Sequence, residues 1–411
     1  MGRRSLVVII VAVALRLVLF AAFPSLPDLL TNRVEISTPV TSFKRLQEGL
    51  FLYTHGVSPY DGGVFHQAPL LLAFFTTLPS SATATNLIYI LLDVFSAYAL
   101  INISTSGISV ATSNRKDAQF PPWAVSAAFL FNPFTVATCL ARPTIVFTNT
   151  VILTAISKAV QGHGAAAVLA LAMSAYLSLY PILLLPPMIL LSYDGLKVPS
   201  GGLGVYAAKM TGVFIAAAAG LLGLSYLITG GSWEFLASTY GVHLLLPDLT
   251  PNVGLWWYFF IEMFDSFRNF FLCVFQLHLA VYVGGLCIRL RKQPLFVITT
   301  LLGIFSIFKS YPSIGDTALY LSLLALYRHI FPLMRYAFFA TSTLLYATLL
   351  GPAFYYLWIY AGSGNANFFY AITLVWSLAV TVIVTDALFA VLRDEWETER
   401  PEMRGKDVIR I

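Results

Sequence analysis

Long apolar runs, interrupted only by proline, glycine and short charged loops, fill most of this 411-residue chain. Charged residues make up 10% of the sequence, compared with about 25% in an ordinary soluble domain. In lipid every backbone polar group must be paired within the protein, so only helices and closed barrels cross a bilayer. The runs lack the period-2 alternation of barrel strands. The sequence therefore predicts an all-α polytopic membrane protein.

The number of spans follows from the lengths of the apolar segments. A helical span needs about 20 residues, and the segments together predict about twelve spans, with an even number preferred. Several segments are too short to cross alone, so the pair within 164–193 is expected to form one broken helix or a re-entrant pair. No long linker interrupts the pattern. We predict a single multi-spanning membrane domain over residues 1–411.

The first apolar run, Leu6 to Phe23, follows two arginines. It is longer than a signal-peptide core and contains Arg16, so we predict an uncleaved anchor with a cytosolic N-terminus. A charge in mid-span costs about 2.5–3.5 kcal/mol on translocon scales. Arg16 is therefore expected to face other helices, a cavity or a headgroup, and snorkelling from a tilted helix is the alternative.

The longest polar region, residues 24–67, follows this span and is predicted to be the first luminal loop. Within it Phe43, Leu46, Leu50 and Phe51 share one helical face, which is typical of an interfacial helix.

Basic residues mark the opposite side of the membrane. Excess lysine and arginine is typical of cytosolic loops, and here the basic groups include Arg115 with Lys116 and Arg289 with Arg291. By the same rule, residues 393–411 are predicted to form a cytosolic tail. Both termini are then cytosolic.

Catalytic and metal-binding motifs are missing from the sequence. The six histidines are dispersed, the three cysteines lie in apolar runs without a CxxC pair, and no HExxH, GxSxG or P-loop motif occurs. We expect no metal, no cofactor and no structural disulfide. A membrane glycosyltransferase would need an acid in the first luminal loop, and Glu35 could serve. Pairing or capping within the loop is the alternative for Glu35, because it has no acidic neighbour.

The stretch FFIEMFDSFRNFF, residues 259–271, places six phenylalanines beside three charges. At about 100° per residue, one continuous helix would put Glu262, Asp265, Arg268 and Asn269 on one face and the phenylalanines opposite. Asp265 and Arg268, at i and i+3, can pair in such a helix. A polar groove on this face and a solvated aromatic belt at the headgroups both remain open.

Two further polar segments interrupt the apolar pattern, IFKSYPSIGD at 307–316 and YAGSGNANFF at 360–369. Irregular backbone at membrane depth is tolerated only where it is buried or lines a cavity. Freed backbone amides with Asn and Lys donors can bind phosphate or sugar hydroxyls, although ordinary helix connections are the alternative. The polar side chains concerned are Lys309, Tyr311, Asp316, Asn365 and Asn367.

Several ordered blocks resemble one known family. LWWYFFIEMFDSFRNFF, IFKSYPSIGD and LWIYAGSGNANFFYAITL resemble blocks of the PIG-U family, the multi-spanning subunit of the glycosylphosphatidylinositol (GPI) transamidase of the endoplasmic reticulum. RVEISTPVTSFKRLQEGL and GVSPYDGGVFHQAPLL resemble its first luminal loop, and FNPFTV and LSLYPILLLPP anchor the middle. The resemblance runs from about residue 33 to 392.

The resemblance implies a non-catalytic subunit that helps to bind the GPI lipid, in a helical arrangement like that of GT-C glycosyltransferases. It implies lipid contact by Phe264, Asp265, Phe267 and Arg268, and headgroup contact by Asn365 and Asn367. The implied partners are a caspase-like catalytic subunit and PIG-T-like, PIG-S-like and GPI-attachment-protein-like subunits. Two other functions stay open, a dolichyl-phosphate-mannose-dependent mannosyltransferase using Glu35 and a lipid conduit.

Overall fold

The computed structural model describes residues 2–79, 81–196 and 201–406, and the regular structure in these ranges is helical throughout. The first helices in chain order are α1 (Arg3–Ala22), α2 (Leu26–Thr31), α3 (Phe43–Thr54), α4 (Pro69–Thr76), α5 (Ala82–Thr105), α6 (Pro122–Leu130), α7 (Pro133–Ala141), α8 (Ile145–Val160), α9 (Gly164–Leu177) and α10 (Leu185–Asp194). They are followed by α11 (Leu203–Ile228), α12 (Glu234–Leu236), α13 (Val242–Leu245), α14 (Trp256–Glu262), α15 (Asp265–Arg289), α16 (Pro294–Phe308), α17 (Ile314–Leu324), α18 (Ala337–Ile359) and α19 (Ala366–Glu399). A π-helical segment covers Ala237–Gly241, and a 3₁₀ segment, Ala325–Leu333, continues α17.

Within the described ranges, six helices are long and apolar enough to cross a membrane, namely α1, α5, α11, α15, α18 and α19. The segment Lys116–Leu130 and α7, bent by 48° at their junction, make a seventh if they count as one span. Four shorter apolar helices are Ile145–Val160, Gly164–Leu177, Tyr180–Asp194 and Pro294–Phe308. An all-helical polytopic membrane protein is thereby confirmed. The predicted pair within 164–193 is broken at Ser178, whose backbone is extended.

The helices divide into an enclosed set and a peripheral set. Every residue of α16 from Pro294 to Ile307 is buried, so this helix runs through the centre of the bundle. In contrast, α11 has three buried residues, and α15 also has three. The apolar outer faces of α11 and α15 therefore suit lipid or neighbouring helices rather than water.

Arg16 points into the bundle and not toward a headgroup. Its Nε donates to Asp93 Oδ2 at 2.8 Å, and its Nη2 donates to the Leu130 carbonyl at 3.0 Å. Arg16 and Asp93 are both almost completely buried. The prediction that Arg16 faces other helices is confirmed, and snorkelling is excluded.

Charged pairs gather at the two ends of α16. The end at Pro294 is surrounded by the ion pairs Arg115 with Asp394 and Glu397, Arg289 with Glu395, and Arg291 with Asp194. The two basic groups predicted to be cytosolic, at Arg115 and at Arg289 with Arg291, thus share one end of the bundle. Part of the predicted tail is helical, because α19 continues to Glu399. Residues 407–411 of that segment lie outside the described ranges.

The helix predicted within the first polar loop is present as α3. Its apolar face packs partly against the protein, since Phe43 and Leu46 are buried, whereas Phe51 is 61% exposed. Gly49 packs against the Phe65 ring, and a Cβ at Gly49 would lie 2.4 Å from a ring carbon. The glycine thus permits a close contact between α3 and the following loop.

Candidate functional site

The stretch at 259–271 is not one helix, and the predicted continuous phasing is wrong. α14 ends at Glu262, the backbone of Met263 and Phe264 is extended with ψ of 145° and 136°, and α15 begins at Asp265. The chain contains no glycine or proline at this break. Glu262 and Asp265 therefore belong to different helices and do not share a helical face.

Arg268 contacts backbone carbonyls and an aromatic ring. Its Nη2 donates to the Leu246 carbonyl at 2.7 Å, and its guanidinium carbon lies 5.4 Å from the centre of the Phe260 ring. The pair with Asp265 that the spacing permits does not form, since no such ion pair occurs among the residues that the structure describes. Carbonyls at the end of α13 lack intrahelical donors, so the guanidinium of Arg268 donates to them and not to Asp265.

The six phenylalanines of the stretch divide into two groups. Phe264, Phe267 and Phe270 are 79%, 54% and 63% exposed. The other three, Phe259, Phe260 and Phe271, pack with Trp256 and Phe275 in an aromatic cluster. Asp265 and Asn269 are exposed beside the first group. The start of α15 thus presents an outward apolar face with polar groups next to it.

The segment at 307–316 forms a buried polar network. Lys309 Nζ lies 2.6 Å from Asp316 Oδ1, and the other carboxylate oxygen accepts from the Ser313 backbone N–H at 2.9 Å. The Tyr311 hydroxyl donates to the Asp248 carbonyl at 2.8 Å. Asp248 in turn pairs with Arg45 at 2.8 Å. These contacts fix the break between α16 and α17 and tie it to the loop before α14.

The segment at 360–369 leads into α19. Asn365 caps this helix, accepting a hydrogen bond from the Phe368 N–H at 3.3 Å. Asn367 Oδ1 accepts a hydrogen bond from the Tyr258 hydroxyl. The Tyr370 hydroxyl donates to the Leu255 carbonyl at 3.1 Å. The start of α19 is therefore attached to α14.

α14 joins the three segments predicted from sequence. The indole N–H of Trp256 donates to the Phe308 carbonyl at 2.9 Å, beside the polar network at 307–316. Tyr258 contacts Asn367, and Phe260 lies under Arg268. The exposed residues Phe264, Asp265, Phe267 and Asn365 lie near this contact region, whereas Lys309, Tyr311 and Asp316 are enclosed behind it. We call the set of residues 256–268, 309–316 and 365–367 the α14 site.

Sequence reasoning missed Tyr258 and Trp256 as organisers of the α14 site. The signal was the dipeptide of tryptophans at Trp256 and Trp257, whose large side chains are almost fully buried.

Sequence reasoning also missed an apolar cavity of about 410 Å³ between α2, α7, α18 and α19. Glu35 lies at this cavity and pairs with Arg33 at 2.8 Å, which confirms the alternative of pairing within the loop.

Two buried histidines, His66 in the loop before α4 and His243 in the short helix α13, lie outside the long apolar helices. Burial, and to a lesser extent the positive charge of Lys309, lower the pKa of His243 to about 3. Burial, together with Arg45, also lowers the pKa of His66, although its hydrogen bond to the Ser238 carbonyl opposes this shift. Both imidazoles are therefore neutral in the folded protein near neutral pH.

These histidines predict a loss of stability in acid. A folded pKa below the unfolded value of about 6.5 stabilises the fold above that pH, and the stabilisation is lost as the pH falls below it. For His243 alone, the loss at pH 5.5 is about 1.4 kcal/mol. Thermal unfolding at pH 7.5 and 5.5 measures this loss of stability. His243→Gln is expected to reduce the difference, whereas replacing the exposed His55 by Gln is not. An equal pH dependence in wild type and His243→Gln would contradict the assignment.

The helical fold, its several membrane-crossing helices and an aromatic and polar site at one end of the bundle define a polytopic membrane protein. No group of three or more potential metal ligands occurs within residues 2–79, 81–196 and 201–406. The profile of the family described as GPI transamidase subunit PIG-U matches residues 10–376. The chain belongs to this family.

Curated relatives agree with this membership over almost their full length. The chain is 35% identical to the GPI-anchor transamidase component PIGU of Cricetulus griseus, over 95% of this chain and 94% of the relative. It is 34% identical to the protein of the same name from Homo sapiens, over 96% and 95%. It is 36% identical to the GPI transamidase component GAB1 of Saccharomyces cerevisiae, over 99% of both chains.

Proposed function

We propose that this protein is a non-catalytic membrane subunit of a GPI transamidase, which binds the GPI lipid and presents it for attachment to protein C-termini. The observation that carries the proposal is the α14 site. There one short helix contacts Arg268 through Phe260 and Asn367 through Tyr258, next to an exposed aromatic face at one end of the bundle. Aromatic side chains suit acyl chains, and amide and guanidinium groups suit hydroxyls and phosphates.

Within the α14 site the residues divide by exposure. Phe264 and Phe267 are placed to contact acyl chains, because they are the outward aromatic side chains at the start of α15. Asp265 and Arg268 lie beside them and would contact the headgroup region, as would the two asparagines of α19. The buried network of Lys309, Tyr311 and Asp316 would position the site rather than reach the glycan.

The proposed setting is the endoplasmic reticulum membrane, with both termini cytosolic. The ion pairs that join Arg115 to the end of α19 support one common side for these segments. We further propose about twelve crossings in a GT-C-like arrangement, in which the shorter apolar helices supply the additional spans. The proposed partners are the caspase-like, PIG-T-like, PIG-S-like and GPI-attachment-protein-like subunits. The apolar outer faces of α11 and α15 offer surfaces for their helices.

Replacing both Asn365 and Asn367 by leucine tests GPI binding. We expect GPI-dependent transamidation to fall by about tenfold or more, because two hydrogen-bonding groups of about 1 kcal/mol each are lost. Transfer by the purified complex, measured over a range of GPI concentrations, reports the effect. Asn365→Asp retains the helix cap and separates capping from binding.

The matched control is Asn102→Leu, on α5 at the other end of the bundle. It is expected to leave GPI use unchanged. An assembled double variant with wild-type dependence on GPI concentration would refute binding by these asparagines.

A glycosyltransferase that uses Glu35 remains the rival function. The pair between Glu35 and Arg33 disfavours it, because both carboxylate oxygens already accept hydrogen bonds from the guanidinium. Glu35→Gln would abolish mannose transfer by such an enzyme and leave transamidation largely intact. Mannose transfer by the purified single chain, lost on this substitution, would overturn the proposed function.

A further inference from the structure

The cavity between α2, α7, α18 and α19 has walls of apolar side chains, including Phe134, Ala347 and Trp376. Ala347 lies twelve residues before the end of α18, and Trp376 lies ten residues after the start of α19. At 1.5 Å per residue the cavity reaches about 15–18 Å from that end of the bundle. This depth matches half of a hydrocarbon core about 30 Å thick. The depth of the cavity is therefore similar to the thickness of one leaflet.

The polar end of the cavity carries Arg33 and Glu35. Nε and Nη2 of the arginine donate to the two carboxylate oxygens at 3.2 and 2.8 Å. Among the described residues, no hydrogen bond uses Nη1 of Arg33. The guanidinium also lies 5.5 Å from the centre of the Tyr355 ring. Glu35 and Tyr355 thus hold the guanidinium in place. Its Nη1 remains available to donate a hydrogen bond to an anionic oxygen.

Two hydroxyls deeper in the cavity already have partners, whereas the buried indole N–H of Trp376 has no hydrogen-bond partner among the described residues. The Thr348 hydroxyl donates to the Leu344 carbonyl at 2.7 Å, and the Thr373 hydroxyl donates to the Tyr370 carbonyl at 2.8 Å. Sugar recognition requires several well-placed donors and acceptors, and this wall offers apolar surface instead. The chemistry that fits is a hydrocarbon chain ending in one phosphate.

We propose that this cavity binds one hydrocarbon chain of a resident membrane glycerophospholipid, with the lipid phosphate on Nη1 of Arg33. A volume of about 410 Å³ lies near the lower end of ligand pockets, which suits a single chain. The second chain lies outside the cavity, beside the exposed Leu29 at its rim. This lipid is distinct from the GPI proposed at the α14 site.

Filling the cavity tests the proposal. Gly351→Leu places a side chain toward the space, since a Cβ there meets no atom closer than 3.9 Å. Leucine has the higher helix propensity, and the amount of assembled complex reports whether α18 accepts a side chain before Pro352. The whole complex is purified in mild detergent, and the phospholipid retained after extensive washing is extracted and quantified. We expect retention to fall by about tenfold or more, because overpacking opposes the bound chain.

Ala353→Leu is the matched control, because it adds similar bulk to an exposed position two residues further along α18. It is expected to retain wild-type phospholipid. A second variant, Arg33→Gln with Glu35→Gln, keeps a hydrogen-bonding amide pair and removes the cation. It is expected to lose retained phospholipid while leaving the cavity open.

Wild-type retention of phospholipid in both Gly351→Leu and the double amide variant would overturn the proposal. The proposal would also be overturned if the lipid lost from Gly351→Leu were identified as GPI. The two lipid proposals are separable. The leucine variant at Asn365 and Asn367 is expected to keep the phospholipid and to lose GPI use. Loss of GPI use there with no retained phospholipid in the wild type would leave the α14 site supported and the cavity proposal refuted.

Discussion

Replacing Asp93 by leucine is expected to lower the free energy of unfolding by about 3–5 kcal/mol. The carboxylate is the charged partner of Arg16, and both side chains are almost completely enclosed by helices. Leucine leaves the guanidinium with backbone carbonyls alone, an uncompensated positive charge inside the bundle. Thermal unfolding of the purified complex in detergent measures the effect, as does the amount of assembled complex in membranes.

A double variant, Asp93→Leu with Arg16→Met, separates charge from packing. Removing both charges leaves no unpaired ion, so we expect most of the stability to return. Asp61→Leu is the matched control, because Asp61 is exposed in the first loop and its replacement should change stability by about 0.5 kcal/mol or less. Wild-type stability of Asp93→Leu alone would mean that Arg16 needs no carboxylate partner.

Replacing Trp256 by alanine is expected to cost about 3–5 kcal/mol and to detach α14 from α16. The indole is fully buried, and its N–H donates to the Phe308 carbonyl. Since α14 also holds Asn367 through Tyr258, we expect GPI-dependent transfer to fall together with stability. Unfolding measurements and transfer assays on the same preparation test both effects.

Trp256→Phe preserves most of the packing and removes only the N–H donor. We expect it to cost about 1–3 kcal/mol, because the carbonyl at Phe308 loses its partner. Trp233→Ala removes a tryptophan that is 49% exposed, and it should leave GPI use unchanged. Normal transfer by a folded Trp256→Ala complex would show that α14 does not position the site.

Sequence patterns predicted those features that are set by composition and by local periodicity. The helical class, the short helix at Phe43 and the inward position of Arg16 follow from apolar run length, helical phase and the cost of a charge in lipid. The presence of polar segments near Lys309 and Asn367 was also visible, because polar residues are rare in this chain.

Features set by long-range packing were not predictable from one sequence. The helix break at Met263 and Phe264 contains no glycine or proline that would have predicted it. Arg268 donates to a carbonyl at the end of α13 and not to the nearby Asp265. Arg45 pairs with Asp248, which is 203 residues away. These pairings depend on which helix ends meet in space, and local spacing carries no information about that.

The buried pair of α1 and α5 also has a consequence for biosynthesis. Arg16 is 77 residues ahead of Asp93 and 114 ahead of Leu130, whose carbonyl it also contacts. At translation rates of about 5–20 residues per second, the arginine waits roughly 4–15 seconds for its carboxylate to be made. Throughout that interval the first span holds an uncompensated charge. The membrane insertion machinery must shelter this nascent helix until α5 arrives, so the timing of synthesis becomes part of how the protein assembles.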